Sequence, residues 1–303
     1  MARLLFRLWL LLIMPSMAVS GQITHIDDFA SQYDAPRSIR IWTPDNYPAH
    51  APYRVIYMHD GQMLFDARKT WNGQEWRADE TAQKLHDAGD LPGFIIVGID
   101  ARANAARYGE YFPQDAAALL EAPYGAAALR ANHYLRFVVE ELTPYIEANY
   151  AVRKDKAGRF MVGSSMGGLI SLYALARYPD IFGGVAAMST HWPGGPVTNW
   201  QKLDAGGKAT AKALQDYFIA NLPAPGQHRL YFDYGSATLD RLYPPLQRAF
   251  DRRLVVAGFK TDDFTSRFFE GAAHDETAWA ARLGGVLRYL LDPQKPIKSS
   301  AQQ

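Results

Sequence analysis

Short apolar runs alternate along this chain with longer stretches in which apolar residues recur every three or four positions. The short runs predict seven strands, at Ser38–Trp42, Tyr53–Met58, Gly93–Ile99, Arg159–Gly163, Gly183–Met188, Arg229–Asp233 and Thr265–Phe269. The longer stretches predict six helices, at Glu75–Asp87, Tyr124–Asn149, Met166–Arg177, Lys208–Ala220, Leu239–Ala257 and Glu276–Leu291. Such alternation is typical of a parallel sheet covered by helices. The pattern therefore predicts an α/β fold with a mostly parallel central sheet and helices on both faces.

The first twenty residues differ from the rest and have the layout of a secretory signal. Arg3 and Arg7 form a short basic start, residues 8–13 are continuously apolar, and small residues at 18–20 precede Gly21. We therefore expect residues 1–20 to be a cleaved signal peptide and the protein to be periplasmic or secreted, without stable membrane insertion. An uncleaved anchor helix is the alternative. Residues 21–292 are expected to form one domain, and the polar tail 293–303 is expected to be disordered.

Composition narrows the classes of function. The chain has 303 residues, of which 48% are hydrophobic, and its formal net charge is +1. This balance argues against a disordered protein and against a nucleic-acid binder, whose basic surface normally dominates the charge. The chain has no cysteine, which excludes disulfides, thiolate metal sites and a cysteine nucleophile.

One segment contains a motif that indicates a chemical function. An apolar strand runs into Gly163-Ser164-Ser165-Met166-Gly167 and then directly into a helix. This is G-x-S-x-G in the strand–turn–helix context of a nucleophile elbow. We expect Ser165 to stand in a strained conformation above the sheet edge, with Gly163 and Gly167 packed too closely to carry a side chain. A glycine-rich turn with an incidental serine is the alternative.

A serine hydroxyl needs an adjacent base to act as a nucleophile near neutral pH. His274 follows the last predicted strand and precedes a helix, so it is expected on a loop at the strand ends where Ser165 also emerges. A third group, a carboxylate between serine and histidine in the chain, would hold the imidazole tautomer. Asp240 ranks first because it lies in the loop past a strand, and Asp233, within the strand end, ranks second. Glu270 is a further acid near the histidine, and Asp240 could instead be a helix N-cap.

The loop after the second predicted strand is the candidate for an oxyanion hole. It reads His59-Asp60-Gly61-Gln62, where Gly61 permits close approach and the Gln62 amide is the expected donor. The second donor is expected to be the amide of Met166, directly after the nucleophile. A metal site at His59 and Asp60 is disfavoured because adjacent side chains on an extended segment point apart.

Five motifs in order carry a family resemblance. They are YMHDGQMLFD at 57–66, VGID at 97–100 with RYGEYFP at 107–113, GSSMGGLISLYAL at 163–175, YPDIFGGVAAMS at 178–189 and GAAHDETAW at 271–279. Over residues 35–291 the chain resembles the family called Putative esterase, which is similar to esterase D and to enterochelin and salmochelin esterases.

The resemblance implies an α/β-hydrolase fold and hydrolysis of carboxylic esters without a metal or an organic cofactor. It implies Ser165 as nucleophile, His274 as base, and the amides of Gln62 and Met166 as oxyanion donors. Many relatives carry an acid two or three residues past the glycine that matches Gly235, where this chain has Ala237 and Thr238. Some periplasmic siderophore esterases of this kind use serine and histidine alone, so a dyad is an alternative.

The expected function is hydrolysis of a small-molecule ester through an acyl-enzyme. A secreted acyltransferase of the same fold and a non-catalytic ligand-binding module are the alternatives. Several aromatic residues and one histidine are expected in loops over the strand ends, where they would either contact an aromatic or amphipathic acyl group or pack beneath the loops. They are Trp71, Trp76, Tyr108, Tyr111, Phe112, His191 and Trp192. Arg107 and Glu110 either lie near the site or form an exposed ion pair.

Overall fold

A single twisted sheet forms the centre of the computed structural model, which describes residues 21–89, 91–103, 105–120 and 129–294. Within these residues the sheet has eight strands: β1 Gln22–Phe29, β2 Arg37–Thr43, β3 Arg54–His59, β4 Phe94–Ile99, β5 Arg159–Ser164, β6 Gly184–Met188, β7 Arg229–Tyr234 and β8 Phe264–Phe268. Their order is β1-β2-β4-β3-β5-β6-β7-β8. The pairs β1–β2 and β2–β4 are antiparallel, and all others are parallel. The prediction of a mostly parallel sheet is confirmed.

Helices cover both faces of the sheet, as predicted. The α-helices described are α1 Ala78–Ala88, α2 Ala105–Tyr111, α3 Ala131–Arg136, α4 Thr143–Asn149, α5 Met166–Arg177, α6 Ala205–Asn221, α7 Tyr243–Val256 and α8 Glu276–Leu291. Successive strand residues point to opposite faces. In β3, Tyr57 therefore packs into the apolar layer that contains Leu172 of α5, whereas Ile56 packs into the layer that contains Leu287 of α8.

The seven predicted strands are all present, with ends that differ by no more than one residue. β1 was not predicted. It is an edge strand with a largely polar sequence and a register shift between Ile26 and Phe29, so it lacks the apolar signature of a buried strand. The helix α2, from Ala105 to Tyr111, was also not predicted and replaces an expected loop.

Four predicted helices differ in their bounds. Those expected from Glu75 and from Lys208 begin at Ala78 and Ala205, and each ends one residue later than predicted. The helix expected over 124–149 begins at Ala131 within the described residues, and its first part falls in 121–128, outside them. Between α3 and α4 the turns widen to a π-helix, Phe137–Leu142. It ends two residues before Pro144, whose ring nitrogen cannot donate a helical hydrogen bond. The helix expected from Leu239 is a 3-10 turn, Thr238–Leu242, followed by α7. The predicted signal peptide, residues 1–20, and the tail from residue 295 lie outside the described residues.

The carboxyl ends of the parallel strands meet at one edge of the sheet. Ser165 follows β5 at the centre, Asp240 follows β7, and His274 follows β8, so the fold brings three distant sequence positions to the same edge. Within the described ranges, no helix combines the length and the apolar character needed to cross a membrane.

Candidate active site

Ser165 occupies the sharp turn between β5 and α5. Its backbone has φ 57° and ψ −122°, a conformation that side-chain-bearing residues rarely adopt. Three backbone hydrogen bonds hold it there: the Ser165 N–H donates to the Met188 carbonyl at 2.9 Å, and the Ser165 carbonyl accepts from the N–H groups of Gly168 and His191, both at 3.1 Å. The expected strained elbow is therefore present and is over-determined by its neighbours.

The two glycines of the elbow are not equivalent. A Cβ at Gly163 would lie 2.5 Å from the Gly167 carbonyl oxygen, closer than any real contact. A Cβ at Gly167 would meet the Cβ of His59 at 3.4 Å, an ordinary contact. The expectation that neither position has room for a side chain is right for Gly163 and wrong for Gly167, because an added Cβ would overlap the backbone only at Gly163.

His274 faces Ser165 from the loop after β8. Its Nε2 lies 3.0 Å from the Ser165 Oγ. The loop is fixed by the His274 N–H, which donates to the Thr238 Oγ1 at 2.8 Å, and the ring stands edge-on to Tyr243 and Trp279, with centroids 5.5 Å and 5.0 Å away. The structure thus brings together the two residues that the sequence predicted as nucleophile and base.

Asp240 completes a continuous chain of hydrogen bonds. Its Oδ1 lies 2.6 Å from the His274 Nδ1, and its Oδ2 accepts from the Gly235 N–H and the Ser189 hydroxyl, both at 2.6 Å. Because a carboxylate only accepts hydrogen bonds, the His274 proton lies on Nδ1 and leaves Nε2 free to accept from Ser165. Asp240 is fully buried, and it is not the N-cap of α7, since that position is Leu242.

The structure explains why this chain has Ala237 and Thr238 where many relatives carry an acid. Thr238 anchors the backbone of His274 through its hydroxyl, and the carboxylate comes from Asp240, two residues further along the same 3-10 turn. A positive φ of 50° at Thr238 turns the chain so that both side chains reach the histidine loop.

The second-ranked acid, Asp233, points elsewhere. It lies in β7 on the same face as Tyr231, whose hydroxyl donates to it at 3.2 Å, and it lies 3.5 Å from the Arg282 guanidinium of α8. Burial raises the pKa of Asp233 to about 6, although Arg282 opposes that shift. Among the described contacts of Asp233 there is none with His274, and Glu270 is exposed.

The predicted oxyanion loop lies beside the first turn of α5. The carboxylate Oδ2 of Asp60 is 3.5 Å from the position of a Cβ on Gly167, which brings this loop next to the start of α5 at Met166. Gly61 is required because a Cβ there would lie 2.7 Å from the backbone of Gly98 and Ile99. The Gln62 side chain accepts from the Ala101 N–H at 3.0 Å, which holds the loop at its far side.

His59 and Asp60 are engaged with protein groups. The His59 Nδ1 lies 2.7 Å from the Tyr134 hydroxyl, and burial lowers the pKa of His59 to about 3. Asp60 receives both arms of the Arg107 guanidinium, each at 2.6 Å. No group of three or more metal-ligating side chains is found in the part of the chain that the structure describes.

Arg107 and Glu110 do not form the exposed pair that was one of the two expectations. Arg107 binds Asp60 at the predicted oxyanion loop, so it lies near the candidate site. Glu110 is fully buried and binds the guanidinium groups of Arg37, at 2.9 Å, and Arg102, at 2.8 Å. The two residues therefore serve separate ion pairs, one at the site and one beneath it.

The aromatic candidates separate by burial. Trp71 is 83% exposed and Tyr108 is half-buried, whereas the others are packed in the interior: Trp76, Tyr111, Phe112, His191 and Trp192. The loop of Trp71 is fixed next to the loop of His274, because the Asn72 amide donates to Glu276 at 2.7 Å. Packing is the role of the buried group, and Trp71 and Tyr108 remain available to a ligand.

Sequence reasoning placed His191 among the loop residues over the strand ends but did not foresee its pairing with Tyr243. The His191 Nε2 lies 2.7 Å from the Gly195 carbonyl and must donate to it, so its Nδ1 accepts from the Tyr243 hydroxyl at 2.6 Å. Burial lowers the pKa of His191 to about 4, which keeps this pair neutral near pH 7. The position of His191, three residues after β6, was the only available signal.

Comparison with known proteins shows the family of the chain. Residues 30–290 match the family model described as Putative esterase. The chain belongs to this esterase family. Family membership and the fold together make it a carboxylic ester hydrolase, as the sequence predicted.

Individual esterases and hydrolases are similar over different lengths. Ferri-bacillibactin esterase BesA of Bacillus subtilis is 30% identical over 172 residues, which are 54% of this chain and 54% of BesA. The structure of a ferulic acid esterase has a TM-score of 0.64 and 18% identity, covering 89% of this chain and 98% of its own. The structure of an IroE-like serine hydrolase from Shewanella oneidensis has a TM-score of 0.63 and 20% identity. The match covers 89% of this chain and 79% of that hydrolase.

Proposed function

We propose that this esterase works through a serine acyl-enzyme, with Ser165 as nucleophile, His274 as general base and Asp240 as the third member of a triad. The observation that carries the proposal is the hydrogen-bonded chain from Asp240 through His274 to Ser165, with distances of 2.6 Å and 3.0 Å. This order and geometry are those of a serine hydrolase triad, and the three residues follow one another in the chain as they do in other α/β-hydrolases.

Acylation begins when a substrate ester carbonyl reaches the Ser165 Oγ. His274 Nε2 takes the hydroxyl proton as Oγ attacks the carbonyl carbon, and Asp240 stabilises the imidazolium that forms. The same proton is then given to the leaving alcohol, and the acyl group remains on Ser165. In deacylation, water attacks the acyl-enzyme with His274 again as base, which releases the acid and restores the serine.

The developing oxyanion is proposed to bind the backbone amides of Gln62 and Met166, with Gly61 giving the loop its close approach. Met166 opens α5, so its amide lies at the positive end of a helix dipole of twelve residues. Attack, proton transfer and charge stabilisation are all supplied by protein groups, and the proposed mechanism requires no metal or organic cofactor.

The proposed substrates are small esters with an aromatic or otherwise acylated part, including siderophore esters. Two observations support this class: the names of similar proteins refer to ferri-bacillibactin and to ferulic acid, and Trp71 is exposed on a loop joined to the start of α8. The basic and apolar N-terminus further supports export, with residues 1–20 removed and residues 21–292 forming the working esterase domain in the periplasm or outside the cell.

The test is pre-steady-state turnover of a short-chain nitrophenyl ester by the wild type and by Ser165→Ala. The wild type should release a burst of nitrophenol equal to the enzyme concentration, and Ser165→Ala should show neither burst nor turnover, with an unchanged melting temperature. Ser164→Ala is the matched control, because Ser164 is a buried neighbour at the end of β5. Activity retained by Ser165→Ala would refute the proposal, and added alcohol acceptors would reveal an acyltransferase by forming a new ester.

A further inference from the structure

Ser189 lies directly behind the proposed triad acid and is the point where three elements meet. It follows β6, it is fully buried, and its backbone has a positive φ of 42°. Its Oγ is 2.6 Å from the Asp240 Oδ2.

Counting donors and acceptors fixes the direction of this bond. The Trp279 Nε1 and an Arg282 nitrogen, both on α8, donate to the Ser189 Oγ at 3.0 Å and 3.2 Å. Indole and guanidinium groups can only donate, and a hydroxyl has two lone pairs and one hydrogen. Both lone pairs are therefore in use, and the hydrogen of Ser189 must point to Asp240.

This arrangement determines which oxygen of Asp240 is available to the histidine. Oδ2 already accepts from Ser189 and from the Gly235 amide, so Oδ1 alone remains for the His274 Nδ1–H. We propose that Ser189 is a positioning residue. Hydrogen bonds from Trp279 and Arg282 fix its hydroxyl, which in turn holds the Asp240 carboxylate in the rotamer and charge state that orient the His274 ring toward Ser165. This inference rests on the proposed serine mechanism.

The charge around Ser189 fits that role. Arg282 is buried between two carboxylates, Asp233 at 3.5 Å and Asp240 through the Ser189 hydroxyl. One buried cation thus balances both acids, which would otherwise repel each other in the interior. Trp279 also packs edge-on against the His274 ring, so one side chain of α8 supports both the base and the residue that positions its acid.

The experiment compares Ser189→Ala with Ser171→Ala. Ser171 is also buried and makes one hydrogen bond, to the Gly167 carbonyl within α5, so it controls for loss of a buried hydroxyl. For both variants, kcat and KM on a nitrophenyl ester, the melting temperature and the proton NMR spectrum are measured. A histidine Nδ1–H bonded to a carboxylate resonates far downfield, and this signal reports the His274–Asp240 bond independently of turnover.

We expect Ser189→Ala to lower kcat by about 10- to 100-fold, by analogy with the loss of hydrogen-bond partners that orient metal-binding histidines and carboxylates, with KM within about twofold. Its downfield resonance should shift or broaden, and Ser171→Ala should match the wild type in both readouts. Wild-type kcat and resonance in Ser189→Ala, beside an inactive Ser165→Ala, would overturn this inference and leave the serine mechanism standing.

Trp279→Phe covers the case in which Ser189→Ala does not fold. It keeps an aromatic ring against His274 but removes one of the two donors that fix the Ser189 Oγ, so the hydroxyl still donates to Asp240 but is held there less firmly. We expect kcat to fall by about fivefold, the value of one ordinary hydrogen bond, and the resonance to move. A folded Trp279→Phe with wild-type kcat and resonance would count against the inference.

Discussion

Replacing Asp240 by asparagine separates a working triad from a serine–histidine dyad. The substitution keeps the size of the side chain but exchanges one acceptor oxygen for an NH2 group that can only donate. In the native arrangement Oδ2 receives two donors, the Gly235 amide and the Ser189 hydroxyl, whereas Oδ1 receives one, from His274.

The structure predicts how the asparagine amide will lie. The Gly235 N–H is fixed by the backbone, so placing the NH2 at the Oδ2 position would leave a buried donor unpaired at a cost of about 1–3 kcal/mol. The amide oxygen therefore takes the Oδ2 position, and the NH2 faces His274. The histidine must then accept at Nδ1 and carry its proton on Nε2, where it can no longer accept the proton of Ser165.

The wrong tautomer of His274 determines how far kcat should fall. The equivalent replacement in a well-studied serine protease lowers kcat by about 10⁴-fold with the geometry intact, and we expect a loss of at least on the order of 10²-fold here. Asp233→Asn is the matched control, because Asp233 is an equally buried carboxylate that bonds Tyr231 and faces Arg282. Its kcat should stay within a few-fold of the wild type.

The assay is steady-state kinetics on a nitrophenyl ester, with thermal unfolding to show that each variant is folded and His274→Ala as the inactive reference. Equal activity of Asp240→Asn and the wild type, beside an inactive His274→Ala, would refute the triad and establish a dyad. A large loss in both asparagine variants would show that the buried charge network, rather than the tautomer, is what matters.

Three further outcomes follow from the same geometry. Gly163→Ala should lower the free energy of unfolding in urea by about 1–3 kcal/mol through overpacking against Gly167, whereas Gly167→Ala should change it by less than about 1 kcal/mol; equal effects would contradict the described spacing. Because burial raises the pKa of Asp233 to about 6, the folded state favours its protonated form. Its contribution to stability is therefore present below about pH 4 and is lost as the pH rises through 6, so the wild type should lose up to about 3 kcal/mol relative to Asp233→Asn between pH 4 and 7, and a flat difference would contradict the shift. The exported protein should begin at or near Gly21 in N-terminal sequencing, and a membrane-bound form that starts at residue 1 would indicate an anchor.

The sequence by itself located the elbow serine and the loop histidine that we propose as nucleophile and base, because their signals are local. A strained elbow needs its small residues within a few positions of the serine, and the strand before it and the helix after it are visible as apolar patterns. The same locality explains why the predicted strands agree with the structure to within one residue, while β1, a polar edge strand, left no pattern to detect.

Only the tertiary structure showed which acid faces the histidine. Asp233 and Asp240 are seven positions apart, and both are fully buried. The alternation of β7 places Asp233 with Tyr231 on the face covered by α8, whereas the 3-10 turn after the strand carries Asp240 back over the sheet edge to His274. Which of the two acids faces His274 therefore depends on where α8 and the loop after β8 pack.

The residues that support the proposed triad were hidden from the sequence for the same reason. Ser189, Trp279 and Arg282 belong to two elements about ninety residues apart, and each looks ordinary in its own segment. Their relation to Asp240 exists only where β6 and α8 meet, because hydrogen bonding depends on distances in space that no local pattern encodes. The chain's short-range patterns set its elements and the sharp turn that carries Ser165, and long-range packing decided which residues surround and orient that serine.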